Sequence, residues 1–117
     1  MQKFGDKLNS IIKLFNNGEK QKALSEINLL LVDNSKNIDL LLLHAKICIN
    51  LNEINKANSS LIELLNLNSK NYEALKLIYV NYLQVGKYDL ANKYINELLL
   101  IEDTNYEILR DKSYIEY

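Results

Sequence analysis

A chain of 117 residues holds one domain with a single core, near the size at which each buried side chain matters. Its charged residues, 25% of the total, balance to a net charge of -1, which leaves no field to draw in nucleic acid or an anionic membrane surface. The single cysteine, Cys48, excludes an intramolecular disulfide and a thiolate-rich zinc site, and apolar runs such as Leu29–Val32 and Leu40–Leu43 are too short for direct membrane insertion.

The amino terminus reads MQKFGDKLNS and lacks an apolar stretch of signal-peptide length, so the cytoplasm is the expected compartment. Proline is absent and glycine is limited to Gly5, Gly18 and Gly86, which predicts helix almost throughout. In chain order, a first helix carries Ile11 and Leu14, a turn falls at Gly18, and a second helix carries Ala23, Ile27 and Leu30. Asn37 then caps a helix with Leu41, His44, Ala45 and Cys48, followed by a turn at Asn52 and a helix with Ala57, Leu61 and Leu64. Asn71 opens a third unit, with Leu75, Ile78, Tyr79 and Tyr82, a turn at Gly86 and Tyr88, and then Ala91, Ile95 and Leu98. Asn105 opens a last helix over 106–117, whose apolar side is Ile108, Leu109 and Ile115.

These elements repeat at an offset of 34 residues without gaps: Ala23, Ala57 and Ala91 share a column, as do Ile27, Leu61 and Ile95, and Leu30, Leu64 and Leu98. Gly18, Asn52 and Gly86 form the turn column, because glycine and asparagine reach the left-handed conformation that ends a helix at least cost. Asn37, Asn71 and Asn105 form the cap column, and Asp39, Glu73 and Glu107 follow two places on, at the positive end of each helix dipole.

A helix-turn-helix unit of this period resembles the tetratricopeptide repeat (TPR) family over roughly residues 4 to 105. The resemblance implies an all-α, right-handed α-solenoid of antiparallel helix pairs. A single domain over 1–117 would hold repeats at about 4–37, 38–71 and 72–105, followed by a capping or partial-repeat helix. The family's proline is replaced by Ser35, Ser69 and Asp103, which weakens the joint between units. Lys7 and Ser10 stand where large apolar residues are usual, which fits an end repeat whose outer face meets water.

Solenoids of this family use the inner face of their first helices as a groove, which the register assigns to Leu8, Ile12, Phe15 and Asn16, then Asp39, Leu42, Lys46, Ile49 and Asn50, then Glu73, Lys76, Val80, Leu83 and Gln84. Leu8, Ile12, Phe15, Leu42, Ile49, Val80 and Leu83 would form an apolar stripe suited to an amphipathic helix or an extended apolar segment. Such a stripe argues against the family's carboxylate-clamp mode, which relies on a basic, asparagine-lined groove. The same stripe would also be satisfied by the tail with Tyr114, Ile115 and Tyr117, or by a second copy of the chain as a homodimer.

His44 and Cys48, four apart, could present two metal ligands on one helix face, but both fall in core columns and no further His or Cys completes a set. All eight tyrosines lie between Tyr72 and Tyr117. Tyr79, Tyr82 and Tyr88 occupy aromatic columns of the repeat and are expected in the core, whereas Tyr106, Tyr114 and Tyr117 have no assigned place. Glycine-rich phosphate loops, HExxH and GxSxG motifs do not occur, so no catalytic, cofactor-binding or metal-binding residue is assigned. The expected function is a non-catalytic scaffold or chaperone-like adaptor that binds a peptide or helix of another protein. The alternatives are the amino-terminal repeat region of a larger enzyme, such as a glycosyltransferase, and a self-associating structural piece.

Overall fold

The computed structural model describes residues 3–116, and among them every regular element is an α-helix. The seven helices are α1 (Phe4–Asn16), α2 (Lys20–Asp33), α3 (Ile38–Asn50), α4 (Ile54–Leu67), α5 (Tyr72–Gln84), α6 (Tyr88–Ile101) and α7 (Tyr106–Glu116). The odd-numbered helices start at 4, 38, 72 and 106, and α2, α4 and α6 start at 20, 54 and 88, so the spacing of 34 in the sequence is the spacing of the elements.

Local chemistry sets these boundaries. The backbone N–H of Leu40 donates to Asn37 Oδ1 at 3.1 Å, that of Ala74 to Asn71 Oδ1 at 2.9 Å and that of Ile108 to Asn105 Oδ1 at 3.1 Å. Each asparagine thereby satisfies one of the donors that the first helical turn leaves unpaired. At the other end, Gly18, Asn52 and Gly86 hold φ of 84°, 62° and 79°. Around them the N–H of Glu19, Glu53 and Lys87 reach back to the carbonyls of Leu14, Cys48 and Tyr82 at 2.9, 2.8 and 2.9 Å. This is the Schellman closure, and it stops α1, α3 and α5 so that the chain reverses into the next helix.

The chain divides into two compact units, one ending at Leu67 and the other beginning at Asn68. In the first, Ile11, Ala23, Ile27, Leu40 and Ile47 form a buried cluster drawn from α1, α2 and α3. Leu41, Ala45, Cys48, Ala57, Leu61 and Leu64 of α3 and α4 are also buried. The second unit buries Leu75, Ile78, Tyr79 and Tyr82 of α5, Ala91, Ile95 and Leu98 of α6, and Ile108 of α7.

Polar contacts tie α7 to its neighbours: the Tyr79 hydroxyl donates to Asp111 Oδ2 at 2.9 Å, and Lys112 Nζ donates to Asn96 Oδ1 at 2.7 Å. Burial, and then the Asp111 carboxylate, push the Tyr79 phenol well above its usual range, so it stays protonated as the donor. One expectation is corrected. Tyr88 is 41% exposed, not a core residue, because it opens α6 and meets Tyr114 edge-on with ring centroids 6.2 Å apart. The tail expectation for Tyr117 lies outside the described residues.

Candidate functional site

The expected partner-binding residues all lie on α1, α3 and α5. In the first unit, Leu8 and Phe15 are half-buried and lean on the core cluster, so part of their surface already serves folding. Ile12, one turn from each, is exposed. Leu42, Lys46 and Ile49 of α3 are half-buried, with the acidic Asp39 exposed at the start of the same helix. In the second unit, Lys76, Val80 and Leu83 of α5 are half-buried and Glu73 is exposed. None of the assigned inner-face side chains is fully buried, and seven of them are apolar.

A second feature was not read from the sequence as a site. Between α1 and α2 lies a cleft of about 250 Å³, lined by Lys7, Ser10, Ile11 and Leu14 on one side and Glu26, Leu29, Leu30 and Asp33 on the other. Its origin is visible in the repeat columns. At Lys7 the later units have the buried Leu41 and Leu75, at Ser10 they have His44 and Ile78, and at Glu26 they have Ser60 and Tyr94. Ser10 turns its hydroxyl to its own helix, donating to the Asp6 carbonyl at 3.0 Å, and fills none of the space. The departures at Lys7 and Ser10 signal a polar end unit; finding the cleft also requires the opposite face, where Leu29 replaces Glu63 and Glu97.

His44 and Cys48 belong to the packing of α3 against α4. His44 Nδ1 shares a hydrogen bond of 2.6 Å with Ser60 Oγ, and the Cys48 sulfur lies 3.6 Å from His44 Nε2. Burial, with the nearby Glu53 second, pushes the Cys48 thiol up to about 11, while burial and the Lys56 ammonium push His44 below its ordinary value. A fully buried, protonated thiol beside a neutral imidazole is a poor nucleophile. Among the described residues no three His, Cys, Asp or Glu side chains converge as metal ligands, and no helix is long and apolar enough to cross a membrane.

Antiparallel helix pairs on a spacing of 34, each reversed at a left-handed turn, with asparagine caps opening α3, α5 and α7, define an α-solenoid protein of the tetratricopeptide type. Within that class the family model described as coatomer epsilon subunit matches residues 7–111, and the chain belongs to that family. Comparison with the curated proteins finds no match.

Among solved structures, a tetratricopeptide repeat protein from Parabacteroides merdae ATCC 43184 is similar at 24% identity and a TM-score of 0.88, covering 96% of this chain and 44% of that one. The chain thus spans less than half of that protein. The first TPR of Spaghetti (RPAP3), bound to the HSP90 peptide SRMEEVD, is similar at 19% identity and a TM-score of 0.81, over 92% of this chain and 86% of that one. The second TPR domain of human RPAP3, in complex with the HSP70 peptide SGPTIEEVD, is similar at 16% identity and a TM-score of 0.80, over 95% of this chain and 92% of that one. At these identities the likeness is one of fold.

Proposed function

We propose that this chain is a non-catalytic protein-interaction module that holds an apolar segment of another protein against the first helices of its repeats. The observation that carries the reading is that each unit leaves apolar side chains partly exposed on its first helices, Leu8, Ile12, Phe15, Leu42 and Ile49 in the first unit and Val80 and Leu83 in the second. Side chains so placed gain about 25 cal/mol for each Å² that a partner removes from water. Two structural neighbours hold peptides, SRMEEVD and SGPTIEEVD, which supports a role in protein interaction. Membership of a family named for a coatomer subunit also supports a part in an assembly rather than catalysis.

The client differs in chemistry from those peptides. Both end in two glutamates, a valine and an aspartate, whereas the first helices here carry Leu8, Ile12 and Leu42, with Asp39 at the start of α3 and Glu73 at the start of α5. An acidic tail would meet apolar carbon there, with Lys46 and Lys76 offset by Asp39 and Glu73, so an amphipathic helix or extended apolar segment fits better. The test is a pull-down from native lysate with the purified chain, run beside Leu42→Asp and Val80→Asp and read by mass spectrometry. The expected result is a partner retained by the native chain and lost with either variant, while circular dichroism shows unchanged helicity. A partner held equally by all three proteins, or unfolding of both variants, would overturn the assignment of these faces.

A further inference from the structure

The cleft between α1 and α2 lies away from the inner-face positions and has its own chemistry. Its floor is apolar, made by Ile11, Leu14 and Leu30, and two carboxylates on α2, Glu26 and Asp33, outnumber the single ammonium of Lys7 across it. Its lip is apolar as well at Leu29, which is 69% exposed. In the second and third helix pairs that column holds Glu63 and Glu97, side chains suited to water. The first pair thus reverses the pattern, with polar groups at interior columns and an apolar group at a surface one. Exposed apolar residues beside an unfilled apolar floor mark a surface that another molecule covers.

Volume and charge identify the occupant. About 250 Å³ falls below the ~300–1,000 Å³ usual for small-molecule sites, and it suits one large side chain on a macromolecule. Excess carboxylate at the rim favours a cation next to that side chain. We propose that the α1/α2 cleft is a second docking site, which takes a segment of another protein that inserts one large apolar side chain over Ile11, Leu14 and Leu30 and sets a lysine or arginine beside Glu26 and Asp33.

A fluorescein-labelled helical peptide of leucine and lysine is the probe, titrated by fluorescence anisotropy beside a control in which glutamate replaces every lysine. Variants are Ser10→Leu, which fills the cleft as Ile78 does in its own column, the surface double change Glu26→Lys with Asp33→Lys, and the inner-face change Leu42→Asp. The native chain is expected to bind the lysine peptide and not the glutamate one, with amide shifts in ¹⁵N spectra centred on Ile11, Leu14 and Leu30. Ser10→Leu and the double lysine variant are each expected to weaken binding by about tenfold or more and to remove the amide shifts at the cleft, whereas in Leu42→Asp the shifts at Ile11, Leu14 and Leu30 are expected to persist. No binding by the native chain, equal binding by the cleft variants, or loss only with Leu42→Asp would overturn the proposal, the last by returning the peptide to the inner face. Should Ser10→Leu fail to fold, the surface double variant and the shift map decide alone.

Discussion

Ala23, Ala57 and Ala91 have no exposed surface, and each sits five places after a turn residue at positive φ. In an interior packed at crystal density, a methyl group at such a point leaves no space for a larger one. Ala57→Leu is expected to destabilise the chain by about 1–3 kcal/mol, measured by urea denaturation, because the added carbons must displace neighbouring side chains or backbone. His44 offers a different residue-scale probe, being the chain's one histidine. Its value is lowered in the fold by burial and then by Lys56, so the unfolded chain takes up the proton first as pH falls. Stability from this group is therefore complete above the ordinary histidine value and is lost as pH falls through the depressed one. The drop in Tm between pH 7.5 and pH 5.5 should be smaller in His44→Gln than in the native chain; an equal drop would assign the pH dependence to other groups.

Caps and turns act at the scale of the element. Asn37, Asn71 and Asn105 each accept a hydrogen bond from the N–H three residues on, and each opens a helix that ends a short connection. Asn71→Ala should cost about 1 kcal/mol of unfolding free energy, since the Ala74 N–H loses its partner, and Asn71→Asp should retain most of the stability because a carboxylate caps equally well. Similar loss in both variants would mean that the amide side chain acts elsewhere. The helix pairs also differ in how well they close. In α5 and α6 the facing columns hold Leu75, Ile78 and Tyr94, whereas α1 and α2 face each other with Lys7, Ser10 and Glu26, which is why the first pair encloses the amphipathic cleft.

At the scale of the whole molecule, packing within each unit runs chiefly between helices that are neighbours in the chain, α1 with α2, α2 with α3, α3 with α4, α5 with α6 and α6 with α7. Contacts of short sequence separation close small loops and cost little entropy before they form. Refolding is expected within microseconds to milliseconds, as in helical proteins of low contact order, and stopped-flow or temperature-jump fluorescence from the tyrosines would check it. A dominant phase of seconds or longer would contradict this picture, the more clearly because the chain has no proline to isomerise.

Period, element order, caps and turns were legible from the sequence alone, because each depends on residues within a few positions of one another. A glycine or asparagine at 18, 52 or 86 selects positive φ, and an asparagine at 37, 71 or 105 reaches the N–H three residues ahead, wherever the rest of the chain lies. Exposure is a different kind of quantity. Tyr88 occupies an aromatic column and yet stands at the surface, Leu8 and Phe15 are shared between an expected binding face and the core, and Ser60, unremarkable in its helix, becomes the partner of His44. The α1/α2 cleft depends on both faces at once, on Lys7 and Ser10 together with Glu26 and Leu29. Only the tertiary structure decided these points, because burial and unfilled volume are set by what the opposite helix contributes, and a pattern read along one strand of sequence carries no term for it.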